Sequence, residues 1–237
     1  MSQYTIQIGI AKTGKYASRE SGDTIEMVER PAGGISVVVV DGQGSGKAAK
    51  ALSMIVSSRA VAMLAEGVRD GAVVRGLNDI LFAMRRGQVS ASLDLLSIDT
   101  KTQTLVVSRM SVTPVVVRVG GEFTVLSPTE RVLGTHHLAG PEVQTWDLEP
   151  GMVVIACTDG VIGAGRKSGD GDFDVVRWLY DQPADQSADD LADAALGEAL
   201  RRDAMKPGDD MALAVIRVVE GAGEPAVRRM SLDLPLV

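Results

Sequence analysis

Short β-branched and alternating runs, separated by only a few turn residues, constrain this chain more than any other feature. Candidate strands fall at 4 to 10 (YTIQIGI), 24 to 30 (TIEMVER), 34 to 40 (GISVVVV), 90 to 99, 103 to 110, 114 to 119, 122 to 126, 143 to 148, 152 to 158 and 211 to 219. Connections such as DTKT at 99 to 102 and GG at 120 to 121 are too short for a crossover and suit hairpins. The sheet or sheets are therefore expected to be mostly antiparallel.

Helical periodicity appears at 47 to 66 and at 70 to 86, the second bounded by Asp70 as N-cap and Gly87 as C-cap. A later helix, about 188 to 205, follows Ser187 and stops before Pro207 and Gly208. Strand, helix pair, run of strands, helix and final strand make an α+β layered domain with helices on sheet faces. GAGRKSGDGD at 163 to 172 shows no apolar anchor and reads as a mobile surface loop. Residues 220 to 237 read as a Gly/Pro linker and an extended tail whose LDLPLV could add to a sheet edge.

A chain of 237 residues, 45% of them hydrophobic, can bury the core of one domain. Its formal net charge of -7 gives no positive field to attract nucleic acid or an anionic membrane, and 3% aromatic content leaves few stacking platforms for single strands. The start shows no leader pattern and no uninterrupted apolar run approaches ~20 residues, so the expectation is a soluble, cytoplasmic protein. The single Cys157 has no internal partner and reads as a small buried hydrophobe.

VVVVDGQGSGK at 37 to 47 invites comparison with a phosphate-cradling loop, but the spacing fails. Three residues separate Gly42 from Gly46 where a Walker A loop needs four, and Ala48 follows Lys47 where a Ser or Thr hydroxyl would meet Mg²⁺. A dinucleotide fingerprint would put its third glycine at Lys47. What remains is Asp41 at the end of a buried strand. Either it is a turn residue satisfying local amides, or it holds a cation, with adjacent glycines admitting a ligand close to the backbone.

The same pattern recurs. Asp159 and Gly160 follow MVVIACT, Gly22 and Asp23 precede TIEMVER, and Asp209 and Asp210 precede MALAVIRVV. Each alone could be an ordinary turn. If these strand ends converge, three or four hard oxygen ligands suit Mg²⁺ or Mn²⁺ rather than Zn²⁺. The two histidines, His136 and His137, are adjacent and read as surface residues.

Taken in order, ESGD (20 to 23), VVVVDGQGSG (37 to 46), ASLDLLSID (91 to 99), CTDGV (157 to 161) and GDDMALAVIRV (208 to 218) resemble the metal-dependent serine/threonine phosphatases of the PPM superfamily. The branch is that typified by the stage II sporulation protein E phosphatase domain, and the resemblance runs over about 4 to 219. It implies two packed, mostly antiparallel β-sheets flanked by α-helices, an αββα sandwich, with residues 1 to 219 as the phosphatase domain. It also implies a two-metal centre in which Asp41 bridges two Mn²⁺ or Mg²⁺ ions, the Gly42 carbonyl helps hold the second, Asp159 and Asp209 ligate the first, and Asp23 assists through water. Ions ~3.5 to 4 Å apart would activate water for hydrolysis of phosphoserine or phosphothreonine.

Gln43 stands where this branch commonly has Met or Leu, Ser111 where a glycine is usual, and Ala212 where Thr often follows the DDM motif. None of these removes a metal ligand. Arg166 and Lys167 read as a solvated basic turn rather than as contacts to substrate phosphate. The resemblance further implies a phosphorylated protein substrate such as a STAS-fold anti-sigma-factor antagonist, in bacterial partner-switching or stress signalling. The alternative is a degenerate, non-catalytic module that binds a regulatory phosphoprotein.

Overall fold

The computed structural model describes residues 4–18, 20–221 and 228–233. All ten expected strands form: β1 (Tyr4–Thr13), β2 (Asp23–Glu29), β3 (Ile35–Gly42), β4 (Ala91–Asp99), β5 (Thr104–Met110), β6 (Val115–Val119), β7 (Glu122–Leu126), β8 (Glu142–Asp147), β9 (Val153–Cys157) and β10 (Met211–Glu220). They make two five-stranded sheets, ordered β1-β10-β9-β6-β7 and β2-β3-β4-β5-β8. Every pairing is antiparallel.

The four valines of β3 show why the sheets stack. Side chains alternate across a strand, so Val37 and Val39 point inwards, where they meet Val115, Val154, Ala214 and Ile216 of the other sheet. Val38 and Val40 point outwards into a second core beneath α1 (Gly46–Ala65) and α2 (Asp70–Arg85), with Val56, Ala60, Leu64, Val73 and Leu77. On the far face, α5 (Ala188–Arg202) lays Leu191, Ala192, Ala195 and Ala199 over Val153, Ile155, Leu213 and Val215. The result is four layers, α/β/β/α, with the strand ends left open at the sandwich edge. By length and composition α1 is apolar enough to cross a membrane, but it lies along the sheet as a covering helix.

Several local expectations change. Asp70 is the first residue of α2 rather than its cap; Arg69 occupies the cap, leaving the Asp70 carboxylate to accept from Arg30 Nη1 at 2.6 Å and Ser97 Oγ at 3.1 Å. At the other end Arg86, with φ 50°, takes the left-handed cap position one residue before Gly87. Ser187 does cap α5, in a reciprocal box with Asp190. Two short helices, α3 (Asp159–Ile162) and α4 (Val175–Tyr180), add to the three read from periodicity.

The 163–172 segment is anchored rather than free. Ala164 is fully buried, and Arg202 donates to the carbonyls of Ala164, Asp170, Gly171 and Asp172 at 2.8–3.2 Å. Beyond β10, residues 228–233 carry no regular structure, and Arg228 pairs with Glu29 at 2.9 Å. The possible edge strand at LDLPLV lies mostly outside the described residues.

Candidate functional site

The opposed strand ends bring five aspartates to one cleft. Asp41, near the end of β3, stands in register between Asp23 of β2 and Ser92 of β4. Asp159 opens α3 directly after β9, and Asp209 and Asp210 precede β10. All five line a cleft of about 310 Å³ together with Gln43, Gly44, Val112, Val132 and the start of β4. Sheet order explains the convergence: β9 and β10 are neighbours in one sheet, β2 and β3 in the other, and these ends share one edge of the sandwich.

Glycines set how closely these segments approach. A Cβ on Gly160 would lie 1.9 Å from the Asp210 carbonyl oxygen, and one on Gly42 would lie 2.3 Å from the Ala49 carbonyl oxygen. Each Asp-Gly pair therefore joins a carboxylate to a backbone position that must stay bare for its neighbour to pack. Asp210 fixes another junction, since its two carboxylate oxygens accept from the Lys15 N–H at 2.8 Å and the Gly22 N–H at 2.7 Å. Thr158 Oγ1 donates to Asp23 Oδ2 at 2.7 Å and accepts from the Ala212 N–H at 3.0 Å.

Electrostatically the cleft is short of positive charge. Lys12 and Lys50 approach Asp23, but both donate to its main-chain carbonyl at 3.1 Å, not to its carboxylate. Among the described residues none of the five aspartates forms an ion pair. Burial, then repulsion from Asp159 and Asp23, pushes the Asp41 carboxyl up to about 8. Burial raises Asp23 to about 7 against the opposing Thr158 hydrogen bond, with Asp210 and Asp159 adding to the rise. Asp159 is raised by burial and then by Asp209. A hard divalent cation would relieve this accumulation, and a donor set made only of carboxylate and carbonyl oxygens suits Mg²⁺ or Mn²⁺. Among the described residues no three of these groups already enclose a single point, so the aspartates line a cleft rather than forming a closed cage.

Of the residues named from sequence, Asp23, Asp41, Asp159 and Asp209 line the cleft, Asp159 and Asp209 at its exposed rim. Gly42 is buried beside them, against α1. Gln43 has a local role: its Oε1 accepts from the Ser90 N–H at 2.9 Å while its own N–H donates to the Ser90 carbonyl at 3.0 Å. Ser111 is fully buried, its hydroxyl 2.9 Å from that of Thr113. Arg166 pairs with Asp172, and Lys167 donates to the Gly208 carbonyl at 3.2 Å, so both serve the 163–172 segment and neither lines the cleft. His136 and His137 are exposed, with the His137 ring tilted against that of Phe82 at 5.3 Å between centroids.

Residues beneath the cleft went unread in the sequence. Arg109 and Asp94 form an ion pair at 2.9 Å, 0% and 3% exposed, between the two sheets. The same guanidinium donates to the carbonyls of Leu126 at 3.0 Å, Ser127 at 2.7 Å and Thr113. Asp94 and Asp41 border one small space with Thr113 and Thr158, so this pair supports the floor of the aspartate cleft.

The sequence profile described as Stage II sporulation protein E (SpoIIE) matches residues 31–219. The stage II sporulation protein E of Priestia megaterium is 21% identical over 215 residues, covering 91% of this chain and 37% of that protein. This chain thus spans little more than a third of that curated relative. Among solved structures, the PP2C phosphatase domain with a fragment of the regulatory domain of SpoIIE from Bacillus subtilis superposes with a TM-score of 0.79 at 21% identity, over 94% of this chain and 65% of that one. The catalytic domain of the serine/threonine phosphatase PstP, in complex with 2 manganese ions, gives 0.70 at 16% identity over 92% of this chain and 100% of that one. The sandwich is thus the PP2C phosphatase fold, and the chain belongs to the stage II sporulation protein E family.

Proposed function

We propose that the chain is a metal-dependent phosphoprotein phosphatase acting on phosphoserine or phosphothreonine. The observation that carries this reading is the convergence of Asp23, Asp41, Asp159 and Asp209 from separate strand ends on one cleft, where none of them forms an ion pair among the described residues. Asp41 would hold both ions of a Mn²⁺ or Mg²⁺ pair, the Gly42 carbonyl would help hold the second, Asp159 and Asp209 the first, and Asp23 the second through water. Such ions, when bound, acidify water and offset charge on phosphoryl oxygens.

The chain's own residues supply position and charge. Thr158 holds one carboxylate oxygen of Asp23 and leaves the other for the cleft. Asp210 ties the Gly22 and Lys15 amides to the start of β10, fixing Asp23 relative to Asp209. A cleft lined by five aspartates, none of them ion-paired among the described residues, offers an anionic phosphate no attraction, so productive binding requires the cations first.

Residues 1 to 219 form the catalytic domain in this reading, and 220 to 237 a linker and tail. Family membership supports a cytoplasmic role in partner switching, with the serine phosphate of a small STAS-fold anti-sigma-factor antagonist as substrate. The test is release of phosphate from a phosphoserine peptide with Mn²⁺ and with chelator. Turnover only with the metal is expected. Peptide binding with no release would instead support a non-catalytic module that docks a phosphoprotein.

A further inference from the structure

The outer face of the first sheet carries a second charged feature, at the end away from the aspartate cleft. In register, Gln7 of β1 stands beside Arg217 of β10, Arg217 beside Val153 of β9, and Val153 beside Arg118 of β6. Leu213 and Val215 face α5, so by alternation Arg217 shares their side, as Arg118 shares that of Val116. With adjacent strands ~4.8 Å apart, the two arginine backbones are roughly 10 Å apart in one row, a span that both side chains can close over a small ligand.

Neither guanidinium has a carboxylate partner among the described residues. Each donates instead to one main-chain carbonyl: Arg118 Nη1 to Leu179, within α4, at 3.3 Å, and Arg217 Nη2 to Ala184, in the segment after it. Arg217 is 9% exposed, and its buried Nε meets no acceptor. Two residues beyond Ala184, the buried Oε1 of Gln186 also lacks a partner. Arg109 provides the contrast, because its buried charge is matched by Asp94. Arg118 is held below its ordinary value by burial and then by the charge of Arg217, so the two cations act on one another.

Arg217 is withdrawn from water and Arg118 half-buried, and two like charges side by side in such surroundings are costly without a counter-charge. On a chain of net charge -7, no carboxylate among the described residues pairs with either arginine. Guanidinium forks match the oxygens of a tetrahedral oxyanion, and the amide of Gln186 can present either its oxygen or its N–H groups. We propose that Arg118 and Arg217, with the 184–186 segment over them, form a binding site for a phosphate-class oxyanion. Arg217 lies seven residues along β10 from Asp210, roughly 20 Å, so this site is separate from the cleft. The inference rests on the arginine row and does not require phosphatase activity.

The test is thermal unfolding of the full chain in chelator, with inorganic phosphate titrated against acetate at matched ionic strength. A saturable rise in Tm with phosphate but not acetate is expected, retained in Asp41→Asn and needing about tenfold more phosphate in Arg118→Gln. Because Arg118→Gln could fail to fold, the Nε–Hε NMR signals of Arg118 and Arg217 are followed in the unaltered protein, where both should shift with phosphate. Unmoved arginine signals, an equal response to acetate, an unchanged response in Arg118→Gln, or its loss in Asp41→Asn would overturn the site.

Discussion

Asp23 and Asp41 are direct cross-strand partners, two carboxylates facing each other where β2 begins and β3 ends. Like charges placed opposite one another oppose strand pairing, and here both side chains are also largely withdrawn from water. The strands nevertheless pair along Thr24–Glu29 and Ile35–Val40, so the apolar remainder of the ladder holds the repulsive pair in place. The site is thus costly to the fold, a cost that a bound cation would relieve.

This cost has a pH signature. Asp41 moves from an ordinary 3.8 to about 8 on folding and Asp23 to about 7, so the folded chain binds protons more tightly than the unfolded one. Their penalty is absent below the unfolded value and grows as pH rises through about 4 to 8. Urea unfolding of chelator-treated protein should show stability falling over that window. Asp41→Asn should be more stable than the parent at about pH 8, by on the order of 2 kcal/mol, and nearly equal to it at low pH.

Gly160→Ala and Gly42→Ala should damage the site through backbone displacement. The added methyl groups would meet the Asp210 and Ala49 carbonyls at 1.9 and 2.3 Å. Each variant should lose roughly 3 kcal/mol of stability and most metal-dependent turnover, while an alanine at the open Gly44 position, strained only by its φ of 100°, should disturb packing less. Chemical denaturation and phosphate release on the same samples separate the two effects.

Breaking the buried pair beneath the cleft should be severe. Arg109→Met strands the Asp94 carboxylate at 3% exposure and should cost about 3–5 kcal/mol in equilibrium unfolding. Arg109→Met combined with Asp94→Leu should recover part of that loss, because no isolated charge remains. A double variant as unstable as the sum of the singles would contradict this.

Arg202→Ala should release the 163–172 segment. Four carbonyls lose one shared donor, and the guanidinium no longer covers the Phe173 ring from 5.8 Å. A loss of about 1–2 kcal/mol is expected, with faster proteolytic cutting within 163–172. Unchanged cutting would mean that another contact anchors the segment.

Strand existence was legible because period-2 patterning and short turns are local properties, as the hairpin from Asp99 to Thr104 illustrates. The pairing of β1 with β10, at opposite ends of the sequence, was not. Helix α3 has four residues and α4 six, too few for a 3.6-residue period to register. The 163–172 segment looked unanchored because its clamp, Arg202, lies in another element. The carboxylates at Asp23, Asp41, Asp159 and Asp209 were legible as strand-end residues and gathered only by their order. The Asp94–Arg109 pair did leave a signal: a hairpin that pairs Asp99 with Thr104 must also pair Asp94 with Arg109. Asp210 left none, since nothing local distinguishes the aspartate that holds backbone amides from Asp209 at the rim.

The most direct test of the central claim is calorimetric titration of Mn²⁺ into chelator-stripped protein and into Asp41→Asn. Saturable binding of about two ions per chain, weakened at least tenfold in the variant, is the predicted result. Absence of saturable binding, or equal affinity in a well-folded Asp41→Asn, would contradict the assignment of the aspartate cleft as a metal centre.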